Sequence, residues 1–436
     1  MTTTSLRRLL RLPGSGAAAV AAAPAPASEL AQSVPLKAWL ILALLTLESI
    51  IGIIDRQSIS ALKTTLKAEF MMGDQGYSYL VNAFLIPYAL FYPICGALVD
   101  KYGTRRTLSA FVIIWSAATL ACGFARSLPE MMVYRAIIGA AEAGLLPASL
   151  MALVIWFPKA KMATAGSLRS AFQSIGPIIC TPLVVAITLA YGWHYAFVLP
   201  GIIGIFFGIL WWVSDTNPPN YGVKVVPAVV KPGFGTLLRS KVLWGVLIAR
   251  VISDPLWFFL SYWQAGYLQE KLGLSLKDLG MVLWIPPLVA SVGMVCVGVF
   301  SDRLVRRGWA PARSRIRILQ ALALIGPLVA IVPFVSNLTS AMVLLTAAYC
   351  LSYGWLVITN ILVTDLFRGQ GVGAAVGLVN ACGTIGASAS TYLLGLVLPS
   401  VGYGPVFIAL GCLHLTAALV LQLAYGRAIS EPGKPH

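Results

Sequence analysis

Apolar runs of about 20 residues recur along the whole chain, and each is long enough to cross the roughly 30 Å of bilayer hydrocarbon as an α-helix. Twelve such runs fall between residues 37 and 426, spaced so tightly that no separate soluble domain fits among them. Composition agrees: 58% of residues are hydrophobic, 11% are charged and the mean hydropathy is +0.85, against the roughly 25% charged residues of soluble domains. The expected fold is an all-α polytopic membrane protein with twelve transmembrane helices.

A formal charge of +16 raises the question of nucleic acid. The basic residues, however, cluster at the ends of apolar runs and form no stripe. With both termini on the cytoplasmic side, the tails and even-numbered loops hold about 22 of the 31 Lys and Arg, and the outer loops hold about five. That excess orients a membrane protein. The seven cysteines sit in or beside apolar runs with no paired loop spacing, and the three histidines are scattered. They read as buried apolar residues and isolated side chains, without a metal site. Residues 1–36, with Arg7, Arg8, Arg11 and an Ala/Pro tract, are expected to be a disordered cytoplasmic tail. The tract is too weakly apolar for a signal peptide.

Two of the runs carry charge at mid-depth. In the fourth, Arg135 and Glu142 are seven residues apart, about 10 Å along a helix and within roughly 20° of one face. In the first, Asp55 and Arg56 are adjacent, with Glu48 seven residues earlier on the face of Asp55. Ionisable groups in hydrocarbon face a cavity or a partner, and they mark substrate and proton paths; the bland alternative is an ion pair that only packs helices. Carboxylates at that depth can exchange protons as a cavity opens and closes, which makes Asp55 and Glu142 the candidates for proton coupling. Arg135 is assigned to Glu142. Arg56, always charged and able to grip a carboxylate through two parallel hydrogen bonds, is the candidate anion clamp. Glu48 is either a third carboxylate of the cavity or a polar residue at its cytoplasmic mouth.

A pattern of Gly96, Asp100, Gly103, Arg105 and Arg106 follows the second helix, and Gly298, Asp302, Arg303, Arg306 and Arg307 repeat it about two hundred residues later. Each cluster suits a latch between helix ends at the cytoplasmic face. The repeat divides the chain into two duplicated six-helix halves, 37–213 and 242–426, joined by a cytoplasmic linker at 214–241, with a short tail at 427–436.

The latch, its copy and the twelve-helix hydropathy resemble the major facilitator superfamily. Within it, Asp55-Arg56, Arg135-x6-Glu142-x4-Pro147 and Trp156-Phe157-Pro158 resemble the anion:cation symporter branch. Gly192-Trp193-His194-Tyr195, Asp254-Pro255-Leu256-Trp257 and residues 274–308 are similar in order and spacing to hexuronate transporters. The resemblance implies two pseudo-symmetric bundles rocking about a midplane site, and uptake of a small organic anion, a hexuronate or aldonate, with protons as coupling ion and no cofactor. It also implies a monomer in the bacterial inner membrane with the lipid bilayer and the anion as its partners. By the same likeness Tyr88, Gln173, Asn380 and Thr384 fall on substrate-facing positions. Arg169, four residues before Gln173, either adds a second anion contact or points to the cytoplasm; the first option favours an aromatic acid or dicarboxylate as cargo. The chain departs from the branch at Lys159-Ala-Lys161-Met162, at Gln264-Ala265, at Arg169, and at Thr384, where relatives carry Asn. Arg250 and Asp254, four apart on the seventh helix, can pair. Trp257, Phe258, Phe259, Tyr262, Trp263, Tyr353, Trp355 and Asn360 are candidate cavity walls. An anion receptor that does not transport is the rival reading from another class; an enzyme has less support, because no nucleophile, base and orienter are grouped.

Overall fold

A computed structural model describes residues 34–216, 218, 241–367 and 372–430; most of both tails and of the linker lie outside the described residues. Among the described residues, eleven helices are long and apolar enough to cross a membrane. One of them, Asp74–Cys122, has 49 residues, about 70 Å of helix and more than twice the bilayer's apolar thickness. It reverses at Gly103, whose φ of 76° and ψ of 169° are open only to a residue without Cβ. Two spans therefore share that element, and the total is twelve.

Span 1 is Leu36–Ala61, spans 2 and 3 are residues 74–102 and 104–122, span 4 is Leu128–Trp156, span 5 is Thr164–Tyr191 and span 6 is Tyr195–Ser214. Span 7 is Leu243–Tyr262, span 8 Leu276–Arg306, span 9 Pro311–Phe334, span 10 Leu338–Leu366, span 11 Ala375–Val401 and span 12 Tyr403–Tyr425. An even number of crossings returns both ends of the chain to one face, here named the terminal face; the other is the distal face. Spans 2 and 3 pack on spans 4 and 6, span 7 packs on spans 11 and 12, and the two six-helix bundles meet where span 11 lies on span 2, span 8 on span 5 and span 7 on span 1. Large apolar side chains such as Leu90, Phe206, Phe300 and Leu423 point outward, as lipid-facing surfaces require.

Local chemistry shapes the spans around the centre. Prolines have no N–H and clash with the carbonyl four residues back. Pro147 accordingly follows a break at Ala143 and Gly144, directly after Glu142. Pro177 follows a break at Ser174, and Pro286 and Pro287 follow one at Leu283 and Trp284. Interrupted helices of this kind leave backbone and side chains free to line a cavity. Span 4 lies hard against span 2 because Gly139 has no side chain: a Cβ there would collide with the Phe84 carbonyl oxygen. That approach carries Arg135 and Glu142 to the bundle interior.

Candidate functional site

Between the two bundles lies a cavity of about 500 Å³. The first bundle contributes Arg56, Gln57, Tyr88, Gln173 and Ser174, and the second contributes Trp257, Tyr262, Tyr349, Tyr353 and Thr384. Apolar and aromatic walls with a few convergent polar groups are the usual form of a small-molecule site. Trp257 stacks on Tyr353 at 5.5 Å and meets the edge of Tyr349 at 5.3 Å, giving one side a firm aromatic wall. Ser174 and Tyr353 hydroxyls lie 3.2 Å apart across it.

Charge enters through span 1. Arg56 donates through Nε to Oε2 of Glu142. The arginine side chain is 28% exposed and the glutamate is fully buried, so the guanidinium bridges a dry carboxylate and the cavity. Its Cζ lies 4.9 Å from the centre of the Tyr88 ring and 5.5 Å from that of Phe84, placing a cation over two aromatic faces. This corrects the expectation that Arg135 holds Glu142. Arg135, also fully buried, donates from Nη1 to the Asp55 backbone carbonyl at 3.1 Å and lies over Phe84 at 4.7 Å. The reason is geometric: seven residues along one helix leave about 10 Å between them, whereas span 1 passes beside both. Asp55 is 1% exposed, and its carboxylate oxygens make no hydrogen bond of ordinary distance and angle. Arg135, Glu142 and Arg56 are close enough to act on it electrostatically.

Two other predicted positions turn away from the cavity. Arg169 is buried, and its Nη2 donates to Ser49 Oγ at 2.7 Å and Ser149 Oγ at 3.2 Å; it neither lines the cavity nor reaches the terminal surface, so the observation that favoured an aromatic acid or dicarboxylate is missing. Asn380 accepts from Arg250 at 3.2 Å and donates to the Val376 carbonyl. It belongs to a buried group in which Arg250 and Asp254 are paired at 2.9 Å. Gln173, Tyr88 and Thr384 do line the cavity. Of the candidate walls, Phe259 packs on Phe407, Trp355 on His414 and Trp263 on Tyr77, all away from it; Asn360 is not among the lining residues.

The latches differ between the halves. In the second, Arg315 joins Asp302 at 3.0 Å to Asp365 at 3.3 Å. In the first, Asp100 and Arg106 are exposed, Gly96 has open space beside it, and Arg105 donates to the Trp212 carbonyl at 2.7 Å while stacking on its ring. Asp215 takes the buried role there, accepting from Thr104 at 2.6 Å and Trp156 at 2.7 Å.

Sequence reasoning missed the closure of the distal face. Lys63, fully buried, lies 2.9 Å from Asp74 and 3.2 Å from Glu270, and Lys67 reaches the same two oxygens at 2.9 and 3.0 Å. Tyr403 donates to Glu270 at 2.7 Å. The two lysines and Asp74 come from the first half, Glu270 and Tyr403 from the second, and Thr64–Gln269 and Tyr77–Tyr262 hydrogen bonds add to the seam. Burial pushes the Lys63 ammonium below the usual lysine range, only partly offset by Glu270 and Asp74. Burial works against Glu270 as well, but Lys63, the Tyr403 hydroxyl and Lys67 outweigh it and hold the carboxyl below its ordinary 4.5. The available signal was the four-residue spacing of Lys63 and Lys67 at the end of an apolar run.

Residues 38–362 match the family model described as Major Facilitator Superfamily. The hexuronate transporter of Escherichia coli (strain K12) is 26% identical over 406 residues, covering 88% of this chain and 93% of the relative. The galacturonate transporter of Dickeya chrysanthemi is 26% identical over 308 residues, 66% of this chain and 89% of its own length. Among solved structures, a bacterial homologue of the human lysosomal transporter Spinster, in an inward-facing and occupied conformation, aligns with a TM-score of 0.70 at 18% identity, over 91% of this chain and 96% of that one.

Proposed function

The chain belongs to the major facilitator superfamily, and we propose that within it this multi-pass membrane protein is a proton-coupled secondary transporter importing a sugar acid, a hexuronate or aldonate, by alternating access. The observation that carries the reading is Arg56, a guanidinium on the cavity wall held from behind by the fully buried Glu142. The relatives named for hexuronate and galacturonate transport support the substrate class. The Lys/Arg excess makes the terminal face cytoplasmic, in a bacterial inner membrane.

In this scheme an ionised Glu142 occupies Arg56. Protonation ends that ionic hold, and the guanidinium turns its free N–H groups to the substrate carboxylate, where two parallel charge-assisted bonds can form. Gln173, Ser174, Tyr88, Tyr353 and Thr384 offer donors and acceptors for sugar hydroxyls. Asp55 is the second proton site, set beside the same arginines. The half-loaded carrier is disfavoured by Coulomb's law: anion without proton places two negative groups on one cation, and proton without anion leaves Arg56 unpaired in a low-dielectric site. Opening the distal face for loading requires the Lys63, Lys67, Asp74 and Glu270 contacts to part. The chemistry moves a proton and a solute and breaks no covalent bond, so the protein acts as a carrier and not as an enzyme.

The test is uptake of radiolabelled glucuronate and galacturonate into proteoliposomes with and without an inward proton gradient. Gradient-driven accumulation of either is expected. Binding of both without uptake would instead make the protein a receptor, and uptake that ignores the gradient would remove the proton from the scheme.

A further inference from the structure

One group of buried polar residues has no part in that scheme. Glu48 is 3% exposed and neither carboxylate oxygen has a hydrogen-bond partner. It stands seven residues before Asp55 on span 1, about 10 Å nearer the terminal face. Arg169 is the charged group that acts on it. That arginine is fixed by two serines, Ser49 and Ser149, each of which donates its own hydroxyl to a backbone carbonyl four residues back and accepts from the guanidinium.

Gly52, one turn from Glu48, sets no side chain between Glu48 and Glu142; a Cβ there would meet Leu145 Cδ2 at 3.6 Å and Glu142 Oε1 at 3.8 Å. That oxygen is itself buried without a partner. The free oxygen of Glu142 on span 4 thus lies beside Gly52 of span 1, and the free carboxylate of Glu48 is one turn further along span 1 toward the terminal face. Beyond them Arg169 adjoins Ser170, which lines the cavity.

We propose that Glu48, with Arg169 as its fixed counter-charge, is a further proton station on the route between Glu142 and the terminal face. A proton leaving the Glu142 carboxylic acid is taken by the Glu48 carboxylate, and Glu48 then releases it to water on the terminal side, returning to the ion that Arg169 stabilises. An unpartnered carboxylate at this depth, with a cation held at a set distance and not in a closed salt bridge, is poised to change its protonation state. A carboxylate kept only to balance Arg169 gains most by direct pairing, and no such pair within 4 Å forms here.

The inference rests on the transporter reading, and the experiment separates the two. Wild type, Glu48→Gln, Glu48→Asp and the double variant Glu48→Gln/Arg169→Gln are reconstituted, and glucuronate and galacturonate binding, exchange at equal pH and gradient-driven net uptake are measured in each. In Glu48→Gln, binding and exchange should persist while net uptake falls about a hundredfold, the scale of a lost proton-transfer group. Glu48→Asp should recover net uptake in part, and the double variant should stay defective. Wild-type net uptake in Glu48→Gln would overturn the station alone. Recovery in the double variant would do the same by making Glu48 a mere counter-ion, as would joint loss of binding and exchange in both single variants. Absence of accumulation by the wild type would overturn the transporter reading and the station with it.

Discussion

Replacing Glu142 by Gln tests the central step with almost no change of shape, because one carboxylate oxygen becomes an amide nitrogen in a fully buried site. In the wild type a bound anion must win Arg56 from an ionised Glu142. The amide keeps a hydrogen bond to the charged guanidinium but loses the ion–ion attraction, which is about 1 kcal/mol at the water limit and somewhat more in a partly buried site, so the competing hold loosens by about 1–1.5 kcal/mol. At about 1.4 kcal/mol per decade, glucuronate should bind roughly tenfold tighter to Glu142→Gln than to the wild type. The difference should be largest at alkaline pH. It should vanish as pH falls and the wild-type carboxylate takes up its proton, so wild-type affinity weakens with rising pH while that of the variant stays flat. Titration calorimetry in detergent across a pH series reads both quantities. Equal affinities at alkaline pH, or an unchanged pH dependence in the variant, would refute the competition between Glu142 and substrate for Arg56.

Other residues give sharper outcomes. Arg56→Ala should abolish glucuronate binding within the measurable range, since two charge-assisted bonds are lost; wild-type affinity would place the clamp elsewhere. Asp55→Asn should bind and exchange substrate yet fail to accumulate it against a gradient, and full accumulation would remove Asp55 from coupling. Lys63→Met should open the distal face. Removing one partner of a buried pair costs about 3–5 kcal/mol, reduced here to about 1–3 kcal/mol because Lys67 keeps the same two oxygens and their side chains are 14% and 25% exposed. Spin labels at the exposed Met71 and Phe334, in a background without native cysteines, should separate. Glu270 sets the pH side of this closure: its carboxyl lies below its ordinary 4.5, so its contribution is complete above that value and is lost only as pH falls through the lowered one. Gly139→Ala should lower stability by about 3 kcal/mol, because the obstacle is backbone, seen as a reduced Tm. Gly166→Ala, with open space around it, should be neutral or stabilising.

The division of labour between sequence and tertiary structure follows from the range of the forces involved. Helix number and depth were legible from the chain alone, because bilayer thickness sets a length that acts on contiguous residues. Gly103 and Pro147 stood out in the chain as local features, but that the helices turn or break there and before Pro177 and Pro287 came from the structure. That Asp55, Arg56, Arg135 and Glu142 are significant was also legible, since charge in hydrocarbon demands a cause. Their pairing was not. Spacing along one helix suggested Arg135 with Glu142, while the close approach at Gly139 and the passage of span 1 gave Glu142 to Arg56 and Arg135 to a backbone carbonyl. Arg169 and Asn380 failed the cavity expectation likewise, because the rotation of spans 5 and 11 about their axes depends on which neighbours they pack against. The distal closure was invisible for the strongest version of this reason: Lys63 and Glu270 are 207 residues apart in sequence, and only the docking of one bundle on the other turns four charges at loop edges into a single buried network.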